Sequence, residues 1–136
     1  SMTVIETETA KPGEFPQIVR VRSHTLTADV GADSGSSDSA PGAHDYFDLA
    51  LATCKALTAT WYAKRHSIPL ERVETRIESD AAQERAGVYK FSVRVTFHGP
   101  MSDEQRASLH RAIEKCPIHK LMTTADIQIE TIAEGS

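Results

Sequence analysis

The feature that most constrains this chain is a long, mostly apolar helical stretch from Asp45 to about His66. Large apolar residues and Cys54 recur there at helix spacing, and alanines fill much of the remaining surface. These recurring positions are Phe47, Ala50, Leu51, Cys54, Leu57 and Trp61. A helix this apolar is expected to be buried on most sides. At 1.5 Å per residue it would be roughly 30 Å long, so most of a small protein must be built around it.

Strands are predicted on both sides of this helix. Gln17 to Arg22 and Thr25 to Val30 are rich in β-forming residues, and the Gly-, Ser- and Asp-rich stretch that follows predicts a loop from Gly31 to Gly42. Apolar and polar residues alternate from Arg72 to Ser79 and from Gly87 to His98, which predicts two half-buried strands paired antiparallel.

The end of the chain is predicted to contain a second helix and a last strand. Ser102 and Gln105 form a capping box that opens a helix running to about Lys115, and Pro117 is expected to turn the chain. Ile127, Ile129 and Thr131 then suggest a strand. This order of elements predicts an α+β fold in a single domain spanning residues 1–136, with helices packed against an antiparallel sheet.

Composition and termini limit the possible functions. Hydrophobic residues make up 40% and charged residues 25% of the chain, as in globular proteins. The net charge is −4 and no Lys/Arg cluster is long enough to follow a phosphate backbone, so nucleic acid is not an expected partner. No apolar run approaches the roughly 20 residues needed to span a membrane. Without a secretory signal, a cytoplasmic location is expected, and Ser1-Met2 is interpreted as a cloning remnant.

The two cysteines, Cys54 and Cys116, leave two interpretations open. No Cys-x-x-Cys pair is present, so neither a zinc knuckle nor a thioredoxin motif is available. Cys116 and His119 could form half of a metal site, but no second pair has suitable spacing, so a metal is not expected. The cysteines are therefore either two inert core thiols or one redox pair.

A redox role for Cys54 would require a nearby positive charge. A cysteine attacks as its thiolate, which apolar surroundings disfavour, and Cys54 lies too far along the helix to benefit from the helix dipole. Arg20 and Arg22 are the candidate cations, although both residues equally suit a solvated strand face. Asp45 is expected to be the N-cap of the helix; alternatively, its carboxylate holds the activating arginine in place.

Several segments resemble those of OsmC-like proteins, the family of osmotically inducible and organic-hydroperoxide-resistance (Ohr) proteins. The match covers most of the chain, from about residue 24 to 131, and includes two cysteine motifs in the expected order. In chain order the similar segments are His24–Asp29, Ser36–Pro41, Asp45–Cys54, Lys55–Thr58, Tyr62–Arg65, Ile68–Val73 and Lys115–Lys120. The chain departs from the family pattern at Asp45, where the family usually has Glu, and in the loop Ser36–Pro41, which lacks the family's glycines.

The resemblance implies a fold, a reaction and a set of partners. It implies an OsmC-like homodimer with intertwined subunits, in which antiparallel sheets wrap long buried helices. It further implies a thiol peroxidase of the oxidative stress response that reduces organic hydroperoxides without a cofactor. Cys54 would attack the peroxide, Cys116 would resolve the sulfenic acid, and a dithiol such as a lipoyl group would reduce the resulting disulfide.

Two other functions fit the same fold. The protein could be a small-molecule binding module, with a hydrophobic pocket near Phe47, Leu57 and Trp61 and cysteines that do not turn over. It could also be a structural dimer in which both thiols belong to the core.

Overall fold

The computed structural model describes residues 2–135 and confirms an α+β fold built from antiparallel strands and helices. Ser1, half of the predicted cloning remnant, and Ser136 lie outside the described residues. The strands and helices are β1 Ile5–Thr9, β2 Gln17–Val21, β3 His24–Ala28, α1 Ala43–Arg65, β4 Arg72–Asp80, β5 Lys90–His98, α2 Asp103–Glu114 and α3 Pro117–Thr124. The chain divides into two compact units, one ending at Leu49 and the other beginning at Ala50. The single-domain assignment stays a prediction.

The first unit contains a three-stranded antiparallel sheet in the order β1-β2-β3. Val19 in the central strand faces Thr7 on one side and Leu26 on the other. The sequence predicted β2 and β3 but extended β3 two residues too far, to Val30. It missed β1 entirely, because this short edge strand is exposed along its whole length and carries no apolar alternation.

The loop between β3 and α1 is organised by the buried carboxylate of Asp29. This carboxylate accepts hydrogen bonds from the backbone N–H of Val30 at 2.7 Å and from the backbone N–H of Ser39 at 2.9 Å. The hydroxyl of Ser39 donates a third hydrogen bond at 2.7 Å. Hydrogen bonds from Ser36 and then Ser39 hold the pKa of Asp29 well below its usual range. The predicted loop is therefore fixed at both ends by one side chain.

Helix α1 begins at Ala43, two residues earlier than predicted. Asp45 is therefore the third helical residue and not the N-cap, which corrects the predicted position. Its carboxylate still caps the helix, because it accepts a hydrogen bond from the backbone N–H of Gly42 at 2.8 Å. The hydroxyl of Tyr46 donates to the carbonyl oxygen of Thr27 and joins the first turn of the helix to β3.

Within the second unit, α1 buries one face only. The buried residues are spaced four apart and are Leu51, Lys55, Ala59 and Ala63. By contrast, the side chains of Leu57 and Trp61 are 65% and 59% exposed. The expectation that α1 is buried on most sides is therefore not met within one chain, because the elements of one chain cover a single face of it.

Strands β4 and β5 form the predicted antiparallel hairpin. Val73 faces Phe97 and Ile77 faces Val93. The alternating apolar residues of both strands are half-buried and the polar residues between them are exposed, apart from the half-buried Thr75 in β4 and His98 at the end of β5. The structure thus confirms the two antiparallel, half-buried strands that the alternation of apolar and polar residues predicts.

Helix α2 begins with the predicted capping box. Gln105 N–H donates to the Ser102 hydroxyl at 3.1 Å, and the Ser102 N–H donates to the Gln105 side chain at 3.0 Å. Leu109 and Ile113 are buried on its inner face.

The chain after α2 differs from the prediction in two ways. Pro117 does not only turn the chain but begins a third helix, since proline is well suited to a first helical position. The predicted strand over Ile127–Thr131 is absent, and Ile127 and Ile129 are exposed. An alternating segment forms a strand only where a partner strand pairs with it, and none of the described strands does so. Among residues 2–135, no helix has both the length and the apolar character needed to cross a bilayer.

Candidate active site

Cys54 lies in the middle of α1 with its side chain half-buried. Its sulfur is 4.0 Å from the hydroxyl oxygen of Thr58, one helical turn further along. The thiol is free. Cys54 is thus the more accessible of the two sulfurs.

Cys116 lies at the junction of α2 and α3 and is almost completely buried. Its backbone is extended (φ −63°, ψ 158°), as expected for a residue that precedes proline. Cys116 is the N-cap of α3. The Cys-Pro sequence therefore fixes where the sulfur lies, at the start of a helix.

The structure brings the side chains of Cys54 and Cys116 into contact. The thiols of Cys54 and Cys116 interact through a side-chain hydrogen bond that favours the protonated form of Cys116. Cys116 is therefore the donor and the Cys54 sulfur is the acceptor. Burial is the largest effect that raises the pKa of Cys116, and Cys54 adds to it. The N–H of His119 and the charge of Lys55 act in the opposite direction.

A buried lysine next to these thiols was missed by the sequence analysis. Lys55 is only 7% exposed. Its ammonium donates to the carbonyl oxygen of Ile113 at 2.8 Å and approaches that of Glu114 at 3.5 Å. Lys55 follows Cys54 directly in the chain, so both side chains are positioned by the same turn of α1. The signal that could have revealed it is its spacing of four from Leu51 and Ala59 on the buried face.

His119 completes the surroundings of Lys55. Its Nδ1 atom is 3.2 Å from the Lys55 Nζ. An ammonium has donors and no acceptor, so Lys55 donates in this contact and the ring nitrogen of His119 accepts. The three N–H groups of Lys55 thus have three acceptors, which are the two carbonyl oxygens at the end of α2 and this ring nitrogen.

The other predicted site residues belong to the first unit. Arg20 lies on β2 and forms an ion pair with Glu8 at 2.9 Å. Arg22 occupies the turn between β2 and β3 with a positive φ of 52°. Asp45 bonds to Gly42 as described above. The roles of Arg20, Arg22 and Asp45 toward Cys54 stay predictions.

A metal site is not formed by the described residues. In the stretch from residue 2 to 135, no group of three or more His, Cys, Asp or Glu side chains is arranged to hold a metal ion.

Comparisons with known proteins agree with the α+β fold. The family model described as OsmC-like protein matches residues 35–132, which is well over half of the chain. The protein belongs to the OsmC-like family. Comparison with curated protein sequences gives no match.

Solved structures of low sequence identity share the fold. An osmotic stress and detoxification response protein from Psychrobacter arcticus is 17% identical, with 88% of each chain covered and a TM-score of 0.72. An OsmC-like protein from Mycoplasma pneumoniae is 14% identical, with 91% of this chain and 89% of that chain covered and a TM-score of 0.72. An organic hydroperoxide resistance protein from Legionella pneumophila is 19% identical, with coverages of 91% and 90% and a TM-score of 0.63.

Proposed function

We propose that this protein is a thiol peroxidase that reduces organic hydroperoxides, with Cys54 as the attacking sulfur and Cys116 as the resolving sulfur. The observation that carries the proposal is the hydrogen bond between these two thiols, which lie 62 positions apart in the sequence. Family membership supports a role in peroxide resistance. Two inert thiols of the core would both be expected to be buried, whereas Cys54 is partly accessible.

The assignment of roles follows from accessibility and from the direction of the hydrogen bond. A hydroperoxide must reach the attacking sulfur, and Cys54 is the half-exposed one. Cys116 is buried, and its proton is retained by burial and by donation to Cys54. A thiol held in its protonated form is a poor first nucleophile. Cys116 is therefore suited to react second.

The proposed reaction has three steps. The Cys54 thiolate attacks the O–O bond of the hydroperoxide, an alcohol leaves after taking up a proton, and Cys54 becomes a sulfenic acid. The Cys116 sulfur then attacks Cys54, the S–O bond breaks, and water leaves as the disulfide forms. A dithiol such as a lipoyl group reduces the disulfide by thiol–disulfide exchange.

Arg20 and Arg22 are the proposed sources of the positive charge that Cys54 requires as a thiolate, and Asp45 is proposed to orient the arginine. Arg20 is already paired with Glu8, whereas Arg22 lies in the two-residue turn between β2 and β3. This favours Arg22. Asparagine tolerates the backbone conformation of this turn, so Arg22→Asn removes the charge without disturbing the turn. Comparing the rates of peroxide reduction of Arg20→Met and Arg22→Asn will show which arginine supports the reaction.

A homodimer is proposed as the active form. Leu57 and Trp61 are four residues apart on one face of α1 and are largely exposed. The alternating isoleucines after α3 are exposed as well. Exposed apolar groups on this scale are typical of a protein–protein interface.

The cytoplasm is the proposed location of the protein. Both cysteines are free, as is usual for proteins in a reducing compartment.

A titration of free thiols tests the reaction. The reduced protein is treated with one equivalent of cumene hydroperoxide, and its thiols are counted before and after. We expect the two thiols of each chain to be lost and then regained after addition of dihydrolipoamide.

Two variants separate the steps of the reaction. Cys54→Ser should lose no thiol. Cys116→Ser should lose its single thiol and give a sulfenic acid that dimedone traps. If Cys54→Ser consumed cumene hydroperoxide at the wild-type rate, the proposed role of Cys54 would be wrong. Unchanged thiols in the wild-type protein would instead favour the binding or structural alternatives.

A further inference from the structure

Lys55 keeps a positive charge buried next to the candidate active site. Removing an ammonium from water is costly unless the charge is compensated. The compensation here comes from the carbonyl oxygens of Ile113 and Glu114 and from the His119 ring. These carbonyls are at the C-terminal end of α2, where the helix dipole places negative charge. A neutral donor could join the same helices at a lower desolvation cost, so the charge itself requires an explanation.

The charge of Lys55 acts on Cys116. Five effects compete there: burial, a hydrogen bond and a charge effect from Cys54, and one effect each from Lys55 and His119. Burial and Cys54 favour the protonated thiol, whereas the Lys55 ammonium and the backbone N–H of His119 favour the thiolate. The titratable groups that face Cys116 are thus Cys54 and Lys55 from α1, with His119 next to Lys55 from α3.

Resting on the proposed function, we infer that Lys55 is a positioning residue for the second half of the reaction, in which its ammonium stabilises Cys116 as a thiolate. While Cys54 is reduced, its sulfur accepts the proton of Cys116 in a hydrogen bond. Oxidation of Cys54 to a sulfenic acid changes that acceptor, whereas Lys55 and the His119 N–H remain in place. The equilibrium between thiol and thiolate at Cys116 then moves toward the thiolate, after Cys54 has been oxidised and when Cys116 must attack it.

The step conserves atoms and electrons. Cys116 gives up its proton, and its sulfur attacks the sulfur of the Cys54 sulfenic acid. The S–S bond forms as the S–O bond breaks, and the departing hydroxide takes up a proton to leave as water. Cys116 is oxidised from the thiol to the disulfide, and the sulfenic sulfur of Cys54 is reduced.

The ionisation of Cys116 can be measured without peroxide chemistry. In Cys54→Ser, Cys116 is the only cysteine, and the chemical shift of its labelled Cβ carbon reports the state of the thiol. Lys55→Met in this background should move the titration midpoint to higher pH by about one unit, a tenfold loss of thiolate below the midpoint. Lys55→Arg, which keeps the charge, should titrate close to the parent.

Each result decides the proposal. Superimposable titrations of the parent and Lys55→Met would overturn it, as would a shift in Lys55→Arg as large as that in Lys55→Met. Lys55→Gln, a neutral side chain that keeps hydrogen-bond donors, replaces Lys55→Met if the latter does not fold. If both neutral variants unfold while Lys55→Arg remains native by circular dichroism, Lys55 serves the fold alone and the proposal fails.

A kinetic measurement connects the ionisation to the reaction. After one equivalent of cumene hydroperoxide, Lys55→Met in the two-cysteine chain should form the disulfide about tenfold more slowly relative to sulfenic acid formation. The dimedone-reactive species should last correspondingly longer. If peroxide does not oxidise Cys54 at all, the proposed function fails, while the Cys116 titration still tests the effect of Lys55 independently.

Discussion

The carboxylate of Asp29 accepts two hydrogen bonds from Ser39, one from its backbone N–H at 2.9 Å and one from its hydroxyl at 2.7 Å. Ten residues separate the two positions, so this contact closes the loop between β3 and α1. A third hydrogen bond comes from the Val30 N–H. Every partner is a donor, which is why the ionised carboxylate is favoured and the pKa of Asp29 is held well below its usual range.

Replacing Asp29 by asparagine should destabilise the protein at neutral pH. An amide group would point a donor at the backbone N–H of Val30 or Ser39, and neither can accept a hydrogen bond. Because the folded state lowers the pKa of Asp29, its contribution is present above the unfolded value of 3.8 and is lost as pH falls. Thermal unfolding from pH 7 to pH 3 should therefore show a lower Tm for Asp29→Asn, with the difference shrinking below about pH 4.

The exposed Asp33 in the same loop provides the control for this prediction. Asp33→Asn should leave Tm nearly unchanged at every pH, since surface substitutions away from such contacts usually have small effects. A constant difference between wild type and Asp29→Asn across the pH range would contradict the proposed electrostatic origin.

Gly99 should not tolerate a side chain. It follows β5 with a φ of 144°, and an added Cβ would overlap the carbonyl oxygen of Pro69. Because Pro69 contributes backbone there, neither group can move easily. A strained backbone position usually costs about 1–3 kcal/mol. We expect Gly99→Ala to lower the free energy of unfolding by more than this, because the clash with Pro69 adds to the backbone cost. Urea denaturation measures this loss.

Gly87 is the matched control for Gly99. It also has a positive φ, of 85°, but an added Cβ would meet no atom within 4 Å. Gly87→Ala should therefore lower the free energy of unfolding by only about 1–2 kcal/mol, the cost of a left-handed backbone conformation for a residue with a Cβ. An equal loss of stability in both variants would show that the contact with Pro69 is unimportant.

The parts of the fold that the sequence predicted correctly depend on local patterns. The box formed by Ser102 and Gln105 satisfies backbone groups within one turn, so it needs no distant partner. The hairpin of β4 and β5 is specified by its own alternation. Pro117 predicts a turn because the residue before a proline is disfavoured in a helix, but proline is equally compatible with the first residue of a new helix. Ile127 and Ile129 have the strand pattern without a described partner strand.

The candidate site was predicted only in part, because some of its contacts are not local. The two cysteines were predicted as candidates because their chemistry follows from the residue type alone. Lys55 was missed because a lysine between Cys54 and Ala56 is ordinarily read as solvated, and its burial depends on where the end of α2 lies. The spacing of four from Leu51 and Ala59 indicates that Lys55 lies on the buried face of α1, but it does not predict the contact with Ile113, 58 positions away.

Asp45 allows its capping role to be separated from the proposed role in orienting an arginine. Asp45→Ala removes the acceptor of the Gly42 N–H and should cost about 1 kcal/mol. Asp45→Asn keeps an acceptor oxygen there and should retain most of that stability, but it removes the charge that would hold Arg20 or Arg22. We expect Asp45→Asn to reduce cumene hydroperoxide more slowly while its Tm stays near wild type. Wild-type turnover in Asp45→Asn would leave Asp45 with the capping role alone.

The exposed face of α1 predicts self-association. Leu57 is 65% and Trp61 is 59% exposed, and the guanidinium of Arg65 lies 4.9 Å from the centre of the Trp61 ring. Burying these side chains against a second copy would remove apolar surface that one chain leaves in water. Sedimentation should show a dimer for the wild-type protein and a monomer for Leu57→Glu/Trp61→Glu, because each glutamate would place an unpaired charge in the interface. Val88→Glu, at an exposed apolar position outside this face, should remain dimeric. A dimer that survives both glutamates on α1 would place the interface on another surface of the protein.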